Sequence, residues 1–155
     1  MSEDRKTFMV ENAQLIFKNF SGREGPYNKA GERNFAVILE DEAAIQMLED
    51  GWNVKYLEPR EEEDTPKPYI SVKVNFAVRP PRVVMITSGG RLHLNEASIE
   101  TLDWADIETV DLICNASVWT VNGKSGVKAY LKSMYVTINE DDLDRKYAVH
   151  EGEQP

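Results

Sequence analysis

The chain has 155 residues, 41% hydrophobic and 29% charged, with a formal net charge of −9. That length is about one domain and buries a proper core without covalent staples. A single cysteine, Cys114, excludes an internal disulfide and a cysteine-based zinc site.

The start, MSEDRKTF, is charged and lacks the apolar stretch of a secretory leader. No run approaches the roughly 20 apolar residues that cross a membrane. A cytoplasmic chain with no membrane contact is therefore expected, in which the Asn-x-Ser sequons at Asn19 and Asn115 carry no sugar. The acidity is unevenly spread. EPREEED (58–64) contributes −4, the segment 140–155 another −4, and the remainder only −1. A near-neutral body of this kind can still present a basic face.

In chain order, NAQLIFKNF (12–20) reads as a strand ending at Ser21-Gly22. The Gly/Pro-rich stretch 21–32 is a loop carrying Arg23, Tyr27 and Lys29. RNFAVILE (33–40) is apolar on both faces and suits a central strand. Asp41 is placed to cap a helix over 41–50, with Ala44, Ile45, Met47 and Leu48 as its buried stripe and Gly51 as its stop. WNVKYLE (52–58) is a short strand. PYISVKVNFAV (68–78) is the cleanest alternation: Ile70, Val72, Val74, Phe76 and Val78 face the core, while Tyr69, Ser71, Lys73, Asn75 and Ala77 face water. RVVMIT and RLHLN form a hairpin around Ser88-Gly89-Gly90, and Asn95 caps a helix over 96–104 that buries Ile99, Leu102 and Trp104. Two long strands, 109–121 and 127–138, are joined through Asn122–Gly126, where Asn-Gly is a strong hairpin signal.

These elements predict a mostly-β fold: a five-stranded antiparallel barrel like the oligonucleotide-binding (OB) fold, with an additional hairpin and one or two short helices. Cys114, within DLICNASVW, reads as a small buried hydrophobe, and Trp52 as core.

Catalytic signals are missing. His93 and His150 have no partners at metal-ligand spacing, and no Walker, dinucleotide or nucleophile-elbow pattern occurs. The acids bunch in loop and tail instead of converging, as a metal-dependent nuclease needs. No enzyme, cofactor or metal is expected. The chain does interleave bases with aromatics. Lys73 lies on the wet side of its strand with Tyr69, and that strand exits into Arg79 and Arg82. The last hairpin offers Trp119, Lys124, Lys128, Tyr130 and Lys132, and the first strand and loop add Lys18, Arg23, Tyr27, Lys29 and Arg33. Cations spaced along phosphates and flat rings under bases are what single-stranded nucleic acid needs. The same residues admit a structural reading, in which Trp119 and Tyr130 pair across strands and Lys128 and Lys132 keep an edge soluble.

NAQLIFKNFSGREGPYNKAGERNFAVILE resembles the opening of the short single-stranded-DNA-binding proteins of bacteriophages. YISVKVNFAVRPPRVVMITSGG is similar to their middle segment, VDLICNASVWTVNGKSGVKAYLKSMYVTI to their closing hairpin, and EDDLDRKYAVHEGEQP to their acidic C-terminal segment. The tail departs from the pattern in lacking a terminal aromatic and in carrying Arg145 and Lys146. The resemblance implies an OB-fold domain over 1–139 with an acidic tail over 140–155. It implies sequence-independent binding of single-stranded DNA in phage replication or recombination, in the host cytoplasm, with tail contacts to replication or recombination proteins; a homodimer is compatible with it. The alternative is a phage protein-interaction or assembly module that uses the same patch without nucleic acid.

Overall fold

The turn between the two longest strands sets the architecture. Asn122 and Gly123 have φ of 51° and 80°, the positive values that a two-residue hairpin turn demands of both central residues and that Asn and Gly tolerate. The turn is thus shorter than the five residues expected, and the returning strand begins at Lys124. The computed structural model describes residues 7–26, 28–58, 65–77 and 79–140. Along them run β1 (Thr7–Val10), β2 (Leu15–Asn19), β3 (Arg33–Ile38), α1 (Asp41–Glu49), β4 (Val54–Leu57), β5 (Lys67–Val74), β6 (Arg82–Thr87), β7 (Gly90–Leu94), a 3-10 helix (Ile99–Asp103), β8 (Ile107–Val121) and β9 (Lys124–Ile138).

The strands form one sheet along the path β1-β8-β9-β5-β3-β2, with β4 on β5 and β6 on both β7 and β9. Antiparallel ladders predominate, but β9 runs parallel to β5 and to β6, so the pairing is mixed. The two ends of the path are consecutive in the chain. Their connection, residues 11–14, touches both sides: Ala13 N–H donates to the Val110 carbonyl and Ile38 N–H to that of Gln14. One bent N-terminal segment therefore meets both edges, while no strand ladder among the described residues closes the sheet into the expected barrel. β1 was absent from the expected elements, because four residues between charged flanks carry little alternation.

The predicted division of β5 holds: Ile70, Val72 and Val74 are buried while Ser71 is exposed. Opposite them, Val37 and Phe35 point inward from β3, and Phe35 stacks on Phe20 with centroids 5.2 Å apart. Cys114 is fully buried in this core, and burial pushes its thiol pKa well above the ordinary cysteine value.

Three local expectations are corrected. Glu40, not Asp41, is the N-cap of α1; it makes no side-chain cap, and Asp41 and Glu42 instead place negative charge in the first turn, where the helix dipole favours it. Of the expected apolar stripe only Ala44 and Met47 are buried, while Ile45 and Leu48 face solvent at 58% and 44%. The second helix is a 3-10 turn: Asn95 Oδ1 accepts from the Ala97 and Ser98 amides, Ile99 and Leu102 are buried, and Trp104 stands 74% exposed.

Trp52 is core, edge-on to Phe8 at 4.9 Å. Residues 51–53 dock α1 against β9: Val127 N–H donates to the Gly51 carbonyl, and Asn53 N–H to that of Val127. Among the described residues no helix is long and apolar enough to cross a membrane. Replacing Phe35 with Ala is expected to cost about 3–5 kcal/mol. Ile45→Ala should change stability by less than about 0.5 kcal/mol. Urea unfolding at constant m-value measures both, and equal costs would contradict this burial pattern.

Candidate nucleic-acid interface

Side chains alternate across a strand, so the register of the ladders decides which of them share the outer face. Lys73 lies directly across from Asn34 on β3 and from Tyr130 on β9; Tyr130 in turn lies across from Asn115 on β8. Asn115, Tyr130, Lys73 and Asn34 thus form one transverse row over four strands, with Lys73 and Tyr130 at its centre. Toward the hairpin tip the same face continues with Lys128 opposite Ser117 and Trp119 opposite Gly126.

Two open grooves flank the row and share Tyr130 as a wall. One, of about 410 Å³, lies between Asn75, Arg79, Asn115, Ser117 and Tyr130. The other, of about 340 Å³, lies between Asn34, Lys73, Asn75, Glu96 and Tyr130. Arg79 belongs to the β5–β6 connection, where Ala77 N–H donates to Asn75 Oδ1. That connection carries the chain along β9 to Arg82, which is exposed and pairs with Ser133.

The remaining expected residues are distributed around this face. Lys124 opens β9 at the hairpin tip and is exposed. Arg23 and Lys29 are exposed on the loop after β2. That loop is fastened by asparagines. Asn19 exchanges two bonds with the backbone of Arg23, and Asn28 donates to the carbonyls of Arg23, Lys29 and Glu32 while accepting from Asn34. Arg33 shares the inward parity of Phe35. It sits at the start of β3, at the rim of the sheet, over the Phe76 ring at 5.9 Å and 3.6 Å from the Glu96 carboxylate. Lys18 donates its ammonium to the Leu102 carbonyl at 3.0 Å. Tyr27 lies outside the described residues, as do residues 59–64 of the acidic stretch.

Trp119 and Tyr130 are not cross-strand partners; Gly126 and Asn115 are their respective neighbours. The Trp119 ring lies against the glycine so closely that a Cβ there would stand 2.7 Å from Cζ2. Its indole N–H is buried and has no hydrogen-bond partner among the described residues. Lys132 falls at the register shift between Ile113 and Cys114 and faces no residue across the ladder.

Sequence reasoning missed one exposed ring on this face. Phe17, 62% exposed with a φ of 52°, meets Tyr69 edge-on at 5.7 Å. The shift in the β2–β3 register between Ile16 and Asn19 marks the bulge that turns Phe17 outward. Tyr69 was legible from the alternation of β5; Phe17 was not.

Among the described residues no group of His, Cys, Asp or Glu is placed to hold a metal ion. The face offers cations, amides and rings, which suits an anionic polymer with flat bases.

Residues 2–152 match the family described as "Putative phage ssDNA-binding domain". No curated protein matches the chain. Among solved structures, the single-stranded DNA-binding protein from bacteriophage Enc34 is similar in fold. It has 12% identity and a TM-score of 0.52, covering 87% of this chain and 82% of that one. Its C-terminal truncation gives 14% identity and a TM-score of 0.50, with 87% of each chain covered. The same protein in complex with ssDNA gives 11% and 0.51, covering 87% of this chain and 88% of that one.

The contact between Trp119 and Gly126 has a spectroscopic signature. Gly126→Ala is expected to lift the indole off the hairpin and shift its emission to the red. This is best read with Trp104 replaced by Phe, so that only buried Trp52 remains beside it. An unchanged spectrum would contradict the packing of the ring on Gly126.

Proposed function

Because the chain belongs to the family of phage single-stranded-DNA-binding domains, we propose that it coats single-stranded DNA without regard to sequence during phage replication or recombination, through the outer face of β3, β5, β9 and β8. The observation that carries the assignment of this face is the placement of Lys73 directly across from Tyr130 in a row flanked by two open grooves. Lys73, Lys128, Arg79 and Arg82 are suited to phosphates. Tyr130, Trp119 and the Phe17–Tyr69 pair offer ring faces and edges to bases. Asn34 and Asn115 supply amides that both donate and accept, which suits them to any base.

The protein is a binder, not an enzyme. Each phosphate neutralised by Lys or Arg releases condensed counterions, so affinity falls as salt rises, and every base has a π-face, so stacking carries no sequence code. The site acts in the host cytoplasm in this reading, where a replicating phage exposes single strands.

The acidic segment extends the reading to regulation and partners. Ser88 donates its N–H and its hydroxyl to the Glu140 carboxylate, each at 2.6 Å, which fixes the point where that segment leaves β9. Beyond it, residues 141–155, outside the described residues, hold five acids against Arg145 and Lys146. A tethered anionic segment competes with phosphate at high effective concentration, and it offers charge to a basic replication or recombination protein.

Two measurements test the proposal. Titration with an unstructured oligonucleotide should give affinity that falls with salt, and Lys73→Ala should lower the log–log slope by about 0.7. Tyr130→Ala should weaken binding by about 1–3 kcal/mol with the fold intact. Slope and affinity unchanged in both variants would remove this row from the interface. Truncation after Glu140, which keeps the Ser88 bonds, should tighten binding mainly at low salt, where screening is weakest. Equal affinity of the truncated and full chains at low salt would exclude competition by the tail.

A further inference from the structure

Beyond β2 the wet face does not end at the sheet. Asn19 lies across from Asn34 in the β2–β3 ladder, so the transverse row extends onto β2. Asn19 accepts from Arg23 N–H at 2.9 Å and donates to its carbonyl at 3.0 Å; Asn28 donates to the same carbonyl at 2.7 Å. The backbone of Arg23 is thereby fixed at the end of the row, and its guanidinium lies 5.7 Å from the centroid of the Trp104 ring. The order Asn115, Tyr130, Lys73, Asn34, Asn19, Arg23, Trp104 follows the strands β8, β9, β5, β3 and β2 and then steps onto the residue after the 3-10 helix.

The position of Trp104 is itself built. Asp103 accepts from the amides of Phe20 and Ser21 at 2.7 and 3.0 Å, and Lys18 donates to the Leu102 carbonyl at 3.0 Å. Three bonds thus lock the end of the 3-10 helix to the end of β2. Ile99 and Leu102 anchor the helix in the core, while Trp104 is 74% exposed. A large ring held in water by a fixed backbone, with a cation over it, is the arrangement on which a nucleobase stacks while its phosphate meets the arginine. Among the described residues neither Glu24 nor Glu100 shows a hydrogen bond or ion pair to Arg23.

We propose that Trp104 is a base-stacking site for single-stranded DNA beyond the sheet, with Arg23 as its phosphate contact, so that the bound strand runs off β2 onto the end of the 3-10 helix. This rests on the proposed function and adds a site at the outer end of the path. Neighbouring strands are about 4.8 Å apart, so roughly 19 Å separate Asn115 from Asn19. Only an oligonucleotide longer than that span reaches Trp104 while occupying the central row.

The test is a length series. Full-length wild type, Trp104→Ala and Trp104→Phe are titrated with oligothymidylates stepped through the about 4–16 nucleotides that one such fold occupies. The expected result is equal affinity of all three for the shortest strands, a loss of about fivefold or more for Trp104→Ala on the longest, and recovery of most of that loss by Phe. Equal binding by Trp104→Ala at every length would overturn the proposal and leave the ring as a protein contact. An equal loss at every length would also overturn it, since Trp104 would then act by holding the loop. Wild type that fails to bind at any length would instead sink the underlying assignment of the central row.

Discussion

Everything on the outer face depends on the register of the β8–β9 hairpin. β9 gives its far edge first to β5 and then to β6, and β8 gives its own to β1. The positions of Lys73, Arg82 and the N-terminal strand are all measured from that pair of strands. Side chains alternate with a period of two, so a slip by one residue would carry Tyr130 and Lys128 into the core and expose Ala129 and Leu131. Two devices hold the register. The Asn122-Gly123 turn fixes the tip, and the shift at Ile113/Cys114 absorbs one residue, so that Met134 and Val136 remain inside after Val127, Ala129 and Leu131.

An acidic protein can bind a polyanion because charge acts locally. Screening confines the influence of exposed charges to about 8–10 Å at physiological salt, so the net value of −9 matters less than what lies beside the row. There the structure sets Lys73, Lys128 and Arg79 among neutral amides and rings. Two carboxylates, Glu32 and Glu96, line the groove beside Lys73, and Arg33 engages that of Glu96. The loop beside the row is held by uncharged asparagines, which satisfy backbone groups without adding charge of either sign.

How much of this was legible followed from which physical signal was in play. Alternation over a long strand is robust, and β5 was read with every face correct from Tyr69 to Val74. Arg33 shows the same rule left unapplied: it shares the parity of Phe35 and Val37, which the sequence already placed on one side, and so belongs to the rim. Trp104 was misplaced because the helix was extended over it, whereas the 3-10 helix ends at Asp103. In a 3-10 helix, three residues make a turn, so Ile99 and Leu102 share a face that Trp104 leaves. Phe17 had no signal at all, since a phenylalanine in left-handed backbone is set by the bulge and not by its own preference. Helix α1 failed more mildly: its stripe was real, but β4 and β5 cover only its Ala44–Met47 side. The parallel ladders of β9 were invisible locally, because direction belongs to the path of the chain between strands.

Cys114 has a practical side. It is the chain's single cysteine, it is fully buried, and burial keeps its thiol protonated and so without the thiolate that reacts. The folded chain is therefore expected to react slowly with sulfhydryl reagents. A cysteine introduced at an exposed position of the wet face, such as Ser117 or Lys128, would be the one reactive sulfur on the surface. A dye or cross-linker can be set there at a single known atom with the native core sulfur left in place.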